Sequence, residues 1–144
     1  MRATISVEPY AKGRPKVGQF GGHATIYTPA KTRKAEADIK AAIRLELKGC
    51  EMFGVGIPLV LWVTFYRQKP KSASKKVKQP VTRPDLDNYL KTLLDALNKF
   101  AYQDDAQLVS IHAKKAFAET GTSPRIEFVL EREGEDIRTT QGRD

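Results

Sequence analysis

Nine consecutive residues hold most of the chemistry available to this chain: Arg83-Pro84-Asp85-Leu86-Asp87-Asn88-Tyr89-Leu90-Lys91. They open an amphipathic stretch that is followed by a second acidic pair, Asp104-Asp105. Hard divalent cations bind clustered carboxylate oxygens, and Mg²⁺ needs only one or two carboxylates together with water and substrate phosphate. Carboxylates held close together without a cation repel one another and raise each other's pKa. The chemistry on offer is therefore metal-assisted hydrolysis of a phosphodiester, with Asp85, Asp87 and Asp105 as candidate ligands and Lys91 one helical turn after Asp87. It requires that the strand after the helix bring Asp105 back to the helix start.

On a helical wheel at about 100° per residue, Leu86, Leu90, Leu93, Leu97 and Phe100 share one side, with Leu94 and Tyr89 at its margins. Asp87, Lys91, Asp95 and Asn98 share the other. The apolar side docks the helix and the polar side is presented outward. Pro84 fixes its own φ and biases Arg83 to an extended conformation, so the helix opens at Asp85. Asp85 is thus also a natural N-cap, and Asp87 a first-turn acid at the positive end of the helix dipole. Capping alone explains those two aspartates in an ordinary soluble domain. It does not explain Asp104-Asp105.

Around this acidic spot the chain is basic, with a net charge of +8 over 144 residues. Residues 1–84 carry 17 Lys and Arg against 5 Asp and Glu, whereas residues 85–144 carry 8 against 12. The positive part suits a polyanion. A purely electrostatic DNA binder has no reason to gather aspartates at one place. Hydrophobic content is 40% with no run near 18 apolar residues, which excludes a membrane-spanning helix. No charged-then-apolar leader opens the chain. Cys50 is the single cysteine, so there is neither a disulfide framework nor a cysteine zinc site; it reads as a small buried residue in a reducing cytoplasm.

The elements that position the acids read as an α/β fold of α+β type. A small mixed sheet and two main helices form one domain over residues 1–132, with a polar, disordered tail over 133–144. Residues 2–7 alternate, with Ala3, Ile5 and Val7 on one face, as a short strand. Residues 11–23, carrying Lys12, Arg14 and Lys16 and four glycines, form a basic loop or loose hairpin leading to a strand over 24–27. No Gly-Lys-Ser/Thr occurs, so this is not a phosphate loop. Its place is on nucleic-acid backbone, where affinity comes from neutralised phosphates. Thr28-Pro29 supplies an N-cap and a first-position proline for a helix over 30–48 that buries Ala35, Ile39, Ile43 and Leu47 and stops at Gly49. Its outer face is net basic.

Residues 57–66 are almost continuously apolar and read as a central strand covered on both faces, with Trp62 and Phe65 in the core. Residues 69–83 carry Lys69, Lys71, Lys75, Lys76, Lys78 and Arg83 and no acid. This loop, without helical or strand periodicity, leads straight into the aspartates, where it can hold a phosphate. Residues 108–117 and 125–130 alternate, and Gly121-Thr122-Ser123-Pro124 joins them as an expected antiparallel hairpin. His23 and His112 have no ligand spacing.

The nine-residue run, with Asp95-Ala96-Leu97 and then Asp104-Asp105-Ala106-Gln107-Leu108-Val109, resembles the signature of the RusA-type Holliday-junction resolvases, endonucleases common in prophages. Lys12-Gly13-Arg14-Pro15-Lys16 and Tyr27-Thr28-Pro29 resemble the N-terminal part of that family, and the likeness covers most of residues 3–131. The resemblance implies three Mg²⁺-binding aspartates at Asp85, Asp87 and Asp105, an assisting lysine at Lys91, and Mn²⁺ as a substitute metal. Whether Asp104 is a further ligand is left open by the resemblance. It further implies a homodimer, free of membranes in a bacterial host cytoplasm, that cuts two opposed strands of a four-way DNA junction.

A restriction-type nuclease centre fails, because Glu127 is followed two residues later by Val129 rather than a lysine. An Asp-x-Asp sugar-nucleotide transferase is opposed by the short chain and its basic charge. A non-catalytic basic nucleic-acid-binding protein is the remaining alternative, separated by the absence of Mg²⁺-dependent nicking.

Overall fold

The computed structural model describes residues 1–11, 16–27 and 30–134. Its elements are β1 (Arg2–Ile5), β2 (Lys16–Phe20), β3 (His23–Tyr27), α1 (Ala30–Glu46), β4 (Leu59–Arg67), α2 (Leu86–Leu97), β5 (Leu108–Phe117) and β6 (Arg125–Arg132). The mixed sheet and two helices agree with the expected α+β class. Lys12, Arg14, the Thr28-Pro29 cap and residues 135–144 of the tail lie outside the described residues, as does the side chain of Lys16.

β4 is the hub because its alternate residues Leu61, Val63 and Phe65 are all buried on the face that receives the helices. It pairs parallel with β5 and antiparallel with β6, and the sheet order is β1-β6-β4-β5. α1 packs against β1 and α2, and α2 lies over β5, so the helices sit side by side on one face of the sheet. Ile39, Ile43 and Leu47 from α1 meet Leu93 and Leu97 from α2 in the same buried cluster. Full burial of each such side chain is worth about 1.5–3 kcal/mol. Tyr89 stacks on Phe65 at 5.4 Å between ring centroids, which docks the first turns of α2 on β4. β2 and β3 form a separate two-stranded ribbon whose turn, Gly21-Gly22, has φ of 61° and 81° at its two residues. Glycine adopts this left-handed conformation without steric penalty.

Three expectations are corrected. Residues 108–117 and 125–130 do not form a hairpin, because β4 lies between them. Each strand alternates as expected, but alternation does not choose a partner, and α2 returns the chain so that β5 runs parallel to β4. Nor is β4 covered on both faces. Helices lie on one side only, so Trp62 faces out, 37% exposed, stacked on His112 at 3.9 Å and donating from Nε1 to Glu131 Oε1 at 3.1 Å. Cys50 is exposed rather than buried, since it follows Gly49 beyond Leu47, the last residue this stretch buries.

Candidate metal and nucleic-acid site

α2 runs from the C-terminal ends of β4 and β5 back to their N-terminal ends, and this sets where every acidic candidate stands. At its start, Asp85 is the N-cap by backbone geometry, and its carbonyl accepts from Asn88 N at 3.1 Å and Tyr89 N at 3.3 Å. Its carboxylate makes no capping hydrogen bond. Capping therefore does not use the side chain. Asp87 and Lys91 are exposed on the next turns of the same helix, and no ion pair described joins them. Asn88 is half-buried, and its carbonyl accepts from Thr92 Oγ1 at 3.2 Å.

Two cations from the strand ends hold the segment that enters α2. Arg67, the last residue of β4, donates from Nη1 to the carbonyls of Thr82 (3.2 Å) and Arg83 (3.1 Å) and from Nη2 to Thr82 Oγ1 (3.0 Å). Lys115, near the end of β5, donates to the carbonyls of Thr82 (2.9 Å) and Pro84 (3.1 Å). Charge-assisted hydrogen bonds of this kind are about twice as strong as neutral ones. Three consecutive carbonyls before Asp85 are thereby fixed to the sheet. Arg67 also reaches Tyr89 and Glu8. Burial pushes the Tyr89 phenol up, with Arg67 opposing that shift; burial likewise raises Glu8, opposed by the Gln68 amide and by Arg67. Neither Arg67 nor Lys115 was singled out from the sequence, because each stands on a strand whose register was not readable. The only signal was a positive charge at the end of one strand and near the end of the other.

The other acidic pair is held at the far end of α2. Tyr102, fully buried, donates its hydroxyl to the Leu94 carbonyl at 3.1 Å, and its phenol is pushed far up by burial and then by the charges of Asp105, Asp95 and Asp104. Asp104 caps the single 3-10 turn Asp105–Gln107: its Oδ1 accepts from Ala106 N at 2.9 Å, which holds its carboxyl below the usual range. Gln107 closes the box, accepting from Gln103 N and Asp104 N and donating from Nε2 to Gly54 O at 2.8 Å and Ile57 O at 3.1 Å. That side chain ties the acidic turn to the loop before β4. Asp104 thus commits one carboxylate oxygen to the turn, and both Asp104 and Asp105 are exposed.

The structure consequently brings Asp85, Asp87 and Lys91 together at one end of α2 and sets Asp104 and Asp105 at the other. From Leu86 to Leu94 the helix rises about 12 Å at 1.5 Å per residue. Among the described residues no three His, Cys, Asp or Glu side chains stand close enough to hold a metal ion. Asp105 does not return to the helix start within one copy.

Of the basic loop, Lys71, Lys75, Lys76, Lys78 and Arg83 are exposed. Lys69 is turned inward, donating to the Val77 carbonyl at 2.7 Å. The loop is a series of turns, closed by Ala73 N to Pro70 O and Val77 N to Ser74 O, both at 3.0 Å. It sits at the same end of the sheet as Asp85.

Comparison with known proteins gives a family model described as endodeoxyribonuclease RusA, matching residues 6–131. A Bacillus subtilis (strain 168) protein, YqaN, described as uncharacterized, is 32% identical over 140 residues, covering 90% of this chain and 94% of its own length. A crossover junction endodeoxyribonuclease, rusA, from Lactococcus phage r1t is 41% identical over 66 residues, 45% of this chain and 50% of its own length. No described helix is long and apolar enough to cross a membrane.

Proposed function

Since the chain belongs to the RusA endodeoxyribonuclease family, we propose that it resolves four-way DNA junctions by paired, Mg²⁺-dependent incisions made by a homodimer. Its general activity is that of a nuclease acting on DNA phosphodiester bonds. The observation that carries the finer reading is the pair of exposed carboxylates, Asp85 and Asp87, unspent on capping and fixed beside a basic loop by Arg67 and Lys115.

The donor set fits a hard cation: carboxylate oxygens, no thiolate or imidazole. Asp85, Asp87 and Asp105 would hold Mg²⁺, or Mn²⁺ in its place. When bound, the ion supplies polarisation of the scissile phosphate and a lowered pKa for water. The protein's own residues do the rest. Lys91 places a positive charge one turn above Asp87, where it offsets charge gathering on the phosphate. Lys71, Lys75, Lys76, Lys78 and Arg83 carry the DNA backbone to the start of α2, with Lys12, Arg14 and Lys16 as further phosphate contacts.

Separation of Asp105 from Asp85 within one copy supports the dimer. A ligand set that includes all three needs carboxylates from two copies. A synthetic four-way junction incubated with the protein, with and without Mg²⁺, tests this: paired symmetric cuts with metal are expected. Asp85→Asn, Asp87→Asn and Asp105→Asn should bind the junction and leave it intact. Binding without any metal-dependent nicking by the parent protein would leave a basic DNA-binding domain instead.

A further inference from the structure

Helices cover one face of the sheet, and the bare face carries a cavity of its own. Paired residues on neighbouring strands point to the same side, so the registers set His112, Trp62, Val129 and Arg2 in one row across β5, β4, β6 and β1. The next row holds Lys114, Thr64, Glu127 and Thr4. Trp62 is fixed twice: its indole stacks on His112 with 10° between the rings, and its Nε1 donates to Glu131 Oε1. His112 covers one indole face. The other looks into a cavity of about 410 Å³ lined by Arg2, Thr4, Trp62, Thr64, Glu127 and Val129, a size ordinary for small-ligand sites. Val129 is a short side chain between two long ones, so Trp62 and Arg2 wall a slot with Val129 as its floor. These walls stand two strand spacings apart, about 9.5 Å. A flat ring in contact with a planar group on each side needs roughly 7–8 Å. One aromatic ring fits there, and two do not. Across one end of the slot, Thr4, Glu127 and Thr64 line up as hydroxyl, carboxylate, hydroxyl. Arg125 donates from Nε to Glu127 Oε1 at 2.8 Å and so anchors that carboxylate.

We propose that this slot takes one base of single-stranded DNA, stacked between the Trp62 indole and the Arg2 guanidinium. Bases stack on aromatic rings and on guanidinium planes, and the π-face of any base will serve. Within a duplex the bases are already stacked and paired, so only an unpaired strand can offer one at low cost. The edge then selects among bases. A carboxylate only accepts, whereas each hydroxyl can donate. That order suits a ring N–H flanked by a carbonyl oxygen, as in thymine and guanine. Adenine and cytosine set a bare ring nitrogen against the carboxylate and are disfavoured. Arg2 and Lys114, both exposed, stand on either side of the slot within the two rows and meet the phosphates of the strand, while Glu127 and Glu131 are engaged by Arg125 and Trp62. The inference takes from the family only that the chain meets DNA. It needs no metal ion and no cut, and the slot lies on the sheet face opposite α2.

Trp62 is the single tryptophan, so its fluorescence reports on the slot directly. The full chain is titrated in EDTA with oligo-dT, oligo-dC, a blunt duplex and dTMP. Saturable quenching by oligo-dT is expected, roughly tenfold weaker with oligo-dC because a hydrogen bond to a charged group is lost. Trp62→Leu, followed by the anisotropy of labelled oligo-dT, should weaken binding roughly ten- to a hundredfold. Arg2→Ser, at an exposed position, should weaken it about two- to fivefold and keeps the test standing if Trp62→Leu fails to fold. Glu127→Gln should bring oligo-dT and oligo-dC together. Absent quenching, or quenching equally tight with duplex, oligo-dC or dTMP, overturns the proposal. None of these readouts uses cleavage: junction cutting without quenching sinks the slot alone, and quenching in a protein that cuts no junction sinks the nuclease reading alone.

Discussion

Arg67→Met removes the forked anchor from the segment that enters α2 while keeping the aliphatic stem. Three hydrogen bonds disappear, to Thr82 O, Arg83 O and Thr82 Oγ1. Hydrogen bonds to a charged group are worth about 1.5–3 kcal/mol each when buried. These are partly solvated and share one guanidinium, so the sum is discounted to roughly 2–3 kcal/mol. For a domain of this size that lowers the melting temperature by about 6–12 °C. The larger effect falls on chemistry, because the freed carbonyls let Asp85 drift, and a misplacement of about 1 Å costs on the order of 100-fold in rate. Single-turnover cleavage of a four-way junction at saturating protein, alongside thermal unfolding, separates the two. The expected outcome is a rate lower by ten- to a hundredfold with junction affinity nearly unchanged, since Arg67 lies outside the exposed basic loop. Arg67→Lys should recover part of the rate by restoring one charge without the fork. A rate within twofold of the parent, with the melting temperature lowered as expected, would show that the anchor serves the fold and not the site.

Mixing Asp85→Asn with Asp105→Asn copies should restore nicking that neither has alone, because one of the two composite sites in the mixed dimer is intact; no recovery would place all three carboxylates in one copy. Burial raises the Glu8 pKa, so its ionised form is disfavoured by folding. The protonated form's advantage is complete below the ordinary glutamate pKa of about 4.3 and is lost as pH rises through the raised value. Glu8→Gln should therefore stabilise the chain at neutral pH, and the gain should vanish on acidification below about pH 4, read from melting temperatures across that range. Tyr102→Phe leaves the Leu94 carbonyl without its donor and should cost about 1 kcal/mol in denaturant unfolding, with little effect on cleavage.

What could be read from the sequence was whatever depends on neighbours in the chain. The wheel of α2 found Leu93 and Leu97, although the buried face is turned towards Tyr89, Thr92 and Ala96 and leaves Leu86 and Leu90 half-buried, and the alternation of β5 and β6 found two strands. The nine-residue run marked the acidic centre, and Asp104-Asp105 the second. What escaped was set by contacts between distant segments. Nothing in residues 108–130 says that β4 separates the two strands, and nothing near Trp62 says that only one sheet face receives helices. The conditional return of Asp105 to the start of α2 failed for the same reason: a parallel crossover puts the two ends of a helix at opposite ends of the sheet. Likewise, the capping role of Asp104 showed only in the geometry of the turn, and Arg67 and Lys115 gained meaning only once the strand ends were placed.

The Gln107 tie fastens the acidic turn to one end of β4, while Arg67 fastens the entrance of α2 to the other. The strand is thus a fixed spacer between the two acidic ends. Lengthening it by two residues, with its ends left as they are, would carry the Asp104-Asp105 turn about 7 Å further from the start of α2 at roughly 3.4 Å per residue.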